Sequence, residues 1–166
     1  RVSTLIAREM GWGQSQVANI EIAALVHDIG KLAIPATILN KPGPLTELEY
    51  EMVKEHPQAG YDILKHIDFG SPIAEVVLQH HERMDGSGYP LGVSGNSILP
   101  ASRVLIVADV VEAISSTRPY RAALSIDEAM AELYNNITKY DYEVVRACER
   151  LYQSGELAEA LSTVAD

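Results

Sequence analysis

A single cysteine, Cys148, is all that the 166 residues hold, so the chain has no means of forming an internal disulfide or a multi-cysteine zinc site. A reducing, cytoplasmic setting is the default for such a chain. Positive charge is scarce too: 13 Lys and Arg stand against 23 Asp and Glu, for a formal net charge of −10. Surfaces that track nucleic-acid phosphates are basic, which excludes a general DNA binder. A small phosphate ester stays open as a ligand, because bound divalent cations outweigh distant carboxylates locally. No apolar run approaches the roughly 18 residues of a membrane span, so a soluble protein is expected. The segment Arg1 to Met10 lacks the basic start, apolar centre and small-residue cleavage site of a signal peptide; it reads as a helix entered part-way along. No repeat, low-complexity segment or linker interrupts the sequence, so residues 1–166 are taken as one domain.

Alternating strand patterns of useful length are also missing, although Val104-Leu105-Ile106-Val107 passes for a strand in isolation. The remaining periodicity is helical. Val2, Leu5, Ile6 and Met10 mark a first helix that stops at Gly11-Trp12-Gly13. A second runs from about Gln14 to Ile29, ended by Gly30, with Val17, Ile20, Ala24 and Ile22, Leu25, Val26 giving an apolar surface broad enough to predict burial. The Pro35 to Pro44 stretch is an ordered connector with at most one helical turn. Thr46-Glu47-Leu48-Glu49 fits a capping box for a helix to about Glu55, and Pro57 suits the first position of another ending near His66. Further helices are predicted for Pro72 to about Arg83, Ala101 to Ser116, Ser125 to near Ile137, Asp141 to Gln153 and Glu156 to Val164. Between Asp85 and Pro100 lie Gly86, Gly88, Gly92 and Gly95, a loop long enough to be functional. The predicted fold class is all-α, a helical bundle with a long glycine-rich loop at 85–100.

Chemistry concentrates in the histidines. Of five, four sit in short motifs: His27-Asp28, His56-Pro57 and the His80-His81 pair. His27 and Asp28 lie where a helix ends, so both can face one cleft, and an Asp carboxylate can bridge two metals while His27 gives one nitrogen. The plainer alternative is a histidine bonded to a backbone carbonyl and an aspartate paired with Lys31. His56, at a helix junction, either caps the next helix or is a ligand. His80 and His81 would repel if both were charged, and shared metal coordination keeps both neutral; otherwise one is packed and one exposed. Asp109 lies inside an apolar helix and needs a cation or a strong donor, which is a metal or else Arg103 or Arg118. Lys31 either meets a phosphate oxygen or sits at a helix end. Arg118-Pro119-Tyr120-Arg121 suits gripping a phosphate and stacking a base, or is an exposed turn. Taken together, His27, Asp28, His56, His80, His81 and Asp109 fit a multinuclear site for iron, manganese, nickel or cobalt. Two such ions about 3.5–4 Å apart hold a bridging hydroxide for in-line attack at phosphorus.

These motifs, in this order, resemble the HD-GYP family of HD-domain metal-dependent phosphohydrolases: His27-Asp28-Ile29-Gly30-Lys31, Lys41-Pro42-Gly43, His56-Pro57-Gln58-Ala59-Gly60, His80-His81 through Tyr89-Pro90, Ala108-Asp109 and Arg118-Pro119-Tyr120-Arg121. The resemblance implies an HD-domain-like helical bundle that hydrolyses cyclic di-GMP to linear pGpG and onward to GMP. It implies two or three divalent ions, iron or manganese before nickel or cobalt. By position it gives the metal-ligand role to His27, Asp28, His56, His80, His81 and Asp109, with Asp28 and Lys31 catalytic. Lys31, Arg118, Tyr120 and Arg121 inherit substrate binding, and Gly88, Tyr89 and Pro90 form the signature loop. It further implies a cytoplasmic signalling module partnered by diguanylate cyclase domains and by receiver or sensor regions outside this chain, with no DNA or membrane partner. The chain begins at the arginine that follows the family's first-helix histidine, so that histidine and an acidic ligand before it are expected to lie upstream. Two other activities follow from the same residues: a catalytically weak or inactive adaptor that binds cyclic di-GMP or a diguanylate cyclase, and a phosphodiesterase for another cyclic dinucleotide such as cyclic GMP-AMP.

Overall fold

A computed structural model describes residues 1–115 and 125–162. Ten α-helices follow in order among them: α1 (Val2–Glu9), α2 (Gln14–Val26), α3 (Ala36–Leu39), α4 (Glu47–Lys54), α5 (His56–Leu64), α6 (Ile73–Gln79), α7 (Pro100–Ser115), α8 (Ile126–Asn135), α9 (Tyr142–Ser154) and α10 (Glu156–Ser162). Short 3-10 turns at Ile29–Ala33, Gly95–Ser97 and Ile137–Lys139 link them, and no strand occurs among the described residues. None of their helices is long and apolar enough to cross a membrane.

α7 is the axis of the bundle. Val104 to Ala108, Val111 and Ser102 are all buried, and a helix apolar on every side is stable only when other elements surround it. α1, α8, α9, α2 and α6 pack around it. Val104-Leu105-Ile106-Val107 is therefore helical because its neighbours supply cover on all sides, whatever its β-branched content suggests locally.

Helix starts obey the expected chemistry. Thr46 accepts from the Glu49 amide at 3.3 Å while the Thr46 amide donates to Glu49 Oε2 at 2.7 Å, the reciprocal pair of a capping box. Ser125 and Glu128 repeat it at α8, and Asp141 caps α9.

Two helix ends and one face depart from the sequence expectation. α2 stops at Val26, short of Ile29, and Gly30 lies within the following 3-10 turn without ending an α-helix. α6 stops at Gln79, short of Arg83. In both, a histidine ring takes the place of the next backbone donor, as described below. The expected burial of Ile22 and Leu25 is also corrected: they are 37% and 80% exposed, while Val17, Ile20 and Ala23 point inward. Ile22 stands two residues from Ile20, about 200° around the helix, so one packed face cannot hold both.

Candidate metal centre

Three histidines sit just beyond α-helix ends, and each solves the same problem. The last carbonyls of a helix have no amide partner within it, and a histidine near the end can supply one. His27 Nδ1 donates to Ala24 O at 2.8 Å, His56 Nδ1 to Val53 O at 2.7 Å and His80 Nδ1 to Val77 O at 2.5 Å. In a continued helix Val53 O would meet the amide of residue 57, but Pro57 has none, so the ring fills that place. A carbonyl only accepts, so the proton is on Nδ1 in all three rings. The lone pair of each neutral ring is then on Nε2.

Those Nε2 atoms converge. His56 Nε2 lies 3.1 Å from His80 Nε2, and one ligand atom from each of His56, His80 and His81 falls within 4.8 Å of the others. Asp28 bridges outward, with Oδ1 3.5 Å from His56 Nε2 and Oδ2 3.5 Å from His27 Nε2. His27 Nε2 also faces Asp109 Oδ1 at 3.7 Å, a charge contact too long for a hydrogen bond. Lys31 Nζ reaches Asp28 Oδ2 at 2.6 Å. A cavity of about 390 Å³ opens on the His27 and Asp109 side, with Glu21 and Glu112 also in its wall.

The structure thus brings His27, Asp28, His56, His80, His81 and Asp109 around one point, with Lys31 at the edge. The plainer alternatives for His27, Asp28 and His56 are present as well: the carbonyl bonds and the Lys31 pair exist. They coexist with the cluster because each imidazole uses its second nitrogen for it. Asp109 does not pair with Arg103, which donates to Asp141 at 3.0 Å and to the carbonyl of Ile98. Arg118, Tyr120 and Arg121 lie outside the described residues.

A family model described as HD domain matches residues 1–144. The cyclic di-GMP phosphodiesterase response regulator RpfG of Xanthomonas campestris is 46% identical over 138 residues, covering 80% of this chain and 36% of RpfG. The chain belongs to the HD domain family, in its HD-GYP branch. A Thermotoga maritima cyclic di-GMP phosphodiesterase is 43% identical, over 90% of this HD-GYP chain and 42% of the relative. A 3'3'-cGAMP-specific phosphodiesterase of Vibrio cholerae is 40% identical, over 88% and 32%. The chain therefore spans about a third to two fifths of these relatives' lengths. Among solved structures, an HDG"Y"P protein from Bdellovibrio bacteriovorus superposes with a TM-score of 0.72 at 20% identity, over 92% of this chain and 50% of that one, which shows the shared fold.

The donor set of this HD-GYP domain suits a cation. Two neutral imidazoles with lone pairs 3.1 Å apart repel each other unless a positive charge lies beside them. Two nitrogens each about 2.1 Å from one ion, at roughly a right angle, would be about 3 Å apart. Burial holds the His80 pKa down to about 4 and that of His81 to about 2, and lowers that of His56, so these rings are neutral at physiological pH. Burial also opposes protonation of His27, but the Asp109 and Asp28 carboxylates outweigh it and raise its pKa. For Asp109, burial favours the protonated acid, yet His27 and the other imidazoles hold its pKa below the ordinary value. For Asp28 the Lys31 ammonium overcomes burial in the same direction. The histidine cluster of this HD domain suggests a metal site.

Glu82 was not singled out by sequence reasoning, because a glutamate between a histidine and an arginine looks like ordinary solvated polarity. It is 0% exposed, and its Oε1 accepts from the Leu91 amide at 2.7 Å. Tyr89 stacks on His81, with ring centroids 4.9 Å apart and planes 25° from parallel. The Gly-Tyr-Pro spelling pointed to this loop, but nothing in it specified that contact.

Proposed function

We propose that this chain is the catalytic domain of a cytoplasmic, metal-dependent phosphodiesterase that hydrolyses cyclic di-GMP to linear pGpG and onward to GMP. One observation carries the reading: imidazole lone pairs that converge between two carboxylates, each of three rings being aimed by a bond from its other nitrogen. The RpfG and Thermotoga relatives, named for this reaction, supply the substrate.

His27, Asp28, His56, His80, His81 and Asp109 would hold two or three divalent ions. Imidazole and carboxylate donors without thiolate favour iron or manganese, with nickel or cobalt as alternatives. When bound, the ions supply Lewis acidity at the phosphoryl oxygens and a water activated near neutral pH. Asp28 presents one oxygen toward His27 and the other toward His56, so it ties the two halves of the ligand set together. Lys31 places an ammonium at the exposed edge, where it neutralises charge on a non-bridging phosphate oxygen. Arg118, Tyr120 and Arg121 bind the rest of the substrate in this reading. Gly88, Tyr89 and Pro90 shape the rim, where diguanylate cyclase domains and a receiver or sensor region are the proposed partners.

The test is turnover of cyclic di-GMP by protein purified without oxygen and loaded with Fe²⁺ or Mn²⁺, with and without chelator. Chelator-sensitive formation of pGpG is expected. Metal-loaded protein that leaves cyclic di-GMP intact would overturn the enzymatic reading in favour of a binding adaptor. The 40% identity to a cGAMP-specific relative supports a second substrate, 3'3'-cyclic GMP-AMP, and direct competition between the two dinucleotides decides which one is preferred.

A further inference from the structure

We infer that Tyr89 is the positioning residue for His81, and that the Asp85 to Leu91 loop is folded to deliver its ring there. This rests on the metal-site reading above. Three of the clustered histidines are aimed by a bond from Nδ1 to the carbonyl three residues earlier. Among the described residues His81 has no such bond. In its place, the Tyr89 ring lies nearly parallel to the imidazole, with centroids 4.9 Å apart. A flat contact of this kind opposes rotation about the last side-chain torsion of His81, as a hydrogen bond does for the other three.

The backbone of the loop is latched to the segment that carries His81. The Tyr89 amide donates to His81 O at 3.2 Å, and the Leu91 amide donates to the buried Glu82 carboxyl group at 2.7 Å. Between them, Gly88 lies so close to this segment that a Cβ on it would meet Glu82 Cα at 2.4 Å and Arg83 N at 2.5 Å. Any side chain at 88 would lift the loop and withdraw the ring from His81. Lys54 Nζ stands 5.8 Å from the Tyr89 ring centroid and 5.6 Å from that of Tyr50, a further attractive contact on the ring. The Gly-Tyr pair therefore has a mechanical meaning: glycine for close approach, tyrosine for the stack. The contact needs the ring of Tyr89; its hydroxyl takes no part.

The decisive experiment compares wild type, Tyr89→Phe and Tyr89→Leu, each titrated with Mn²⁺ alone in the absence of oxygen. Tyr89→Phe is expected to match wild type within about twofold. Tyr89→Leu is expected to bind roughly tenfold more weakly, the scale of losing a stacked ring or an outer support of a ligand. Side-chain nitrogen spectra of the metal-free proteins should change at His81 in Tyr89→Leu and leave His56 and His80 unmoved. Wild-type affinity in Tyr89→Leu, or an equal loss in both variants, overturns the inference. A measurement on wild type is independent of whether Tyr89→Leu folds: the ring protons of His81 should resonate upfield of those of exposed His66, and coincidence of the two overturns the stack. Wild type that binds no Mn²⁺ overturns the metal reading instead, and the metal-free ring shift then still decides where Tyr89 lies.

Discussion

Replacing Gly30 with alanine would place a methyl group 1.9 Å from His56 O and 2.5 Å from the Gly60 amide nitrogen. Ordinary contact begins near 3.4 Å, so the 3-10 turn and α5 must separate by about 1.5 Å. Overpacking that side chains can relieve costs about 1–3 kcal/mol. Here both obstacles are backbone, fixed by the first turns of α5, so the cost belongs at about 3 kcal/mol. For a chain of this size that lowers the melting temperature by about 6–12 °C. The same separation pulls Asp28 from His56, whose atoms are 3.5 Å apart, so Mn²⁺ affinity falls with stability. Gly13→Ala is the control: its Cβ would meet only Gln16 Oε1, at 3.8 Å, and it should lose no more than about 1 kcal/mol, the cost of a poorer cap on α2. Thermal unfolding followed by circular dichroism, with Mn²⁺ titration alongside, reads both effects. A Gly30→Ala protein that melts within about 2 °C of wild type and keeps its affinity would refute the reasoning.

Mn²⁺ at about a hundred times its dissociation constant should stabilise the fold by about 2.7 kcal/mol, and His56→Ala should abolish that gain; an undiminished gain in the variant would exclude His56 as a ligand. Stability of the metal-free protein should fall as pH drops from 6.5 to 5. The reason is that His80 and His81 have pKa values of about 4 and about 2 when folded against 6.5 ordinarily, so the unfolded chain binds more protons in this window. His27, whose folded pKa is raised, works in the opposite direction, but it is one ring against three counting His56; urea midpoints that stay level or rise on acidification would contradict this. Arg103→Met should cost about 2 kcal/mol, the scale of losing hydrogen bonds made by a charged group, because Arg103 joins the carbonyls of Gly95 and Ile98 to Asp141. Limited proteolysis should then cut within residues 85–99 first, and cleavage unchanged from wild type would count against that role. Thr46→Ala should cost about 1 kcal/mol through loss of the α4 cap, read as a lower urea midpoint.

The bundle was legible in the sequence wherever local chemistry decides: the capping box at Thr46, the helix start at Ser125, Pro57 at the start of α5, and the apolar stretch of α7. The six clustered residues were legible because histidines are few and lie in tight motifs. What was not legible depends on partners distant in sequence. α2 and α6 end where His27 and His80 turn their rings onto Ala24 O and Val77 O, and a histidine that closes a helix has the same spelling as one that continues it. Gly30 was read as a helix terminator, whereas it serves the close approach of α5, which only the assembled fold reveals. Ile22 and Leu25 were assigned to the core because hydrophobicity alone does not say which side of α2 is covered. Glu82 became recognisable only once Leu91 was seen to return to it.

The helix ends also set the charge of the site. A helix C-terminus carries about half a negative charge, spread over its unpaired carbonyls. α2 and α6 end at His27 and His80, α4 ends at Glu55 beside His56, and Asp28 and Asp109 add two carboxylates. The start of α5 at His56 offsets part of this, and Lys31 neutralises Asp28 from outside. Each Nδ1 proton is committed to quenching one of those carbonyls, so the faces left toward the centre are lone pairs and carboxylate oxygens alone. One ammonium at the rim cannot balance that interior. Three helix ends and two carboxylates gathered about one point favour positive charge at the centre. Against the opposing effect of burial, the Asp109 and Asp28 carboxylates raise the pKa of His27, the direction expected where positive charge is favoured. A cation held by the proposed ligand set would answer the same electrostatic demand that raises the pKa of His27.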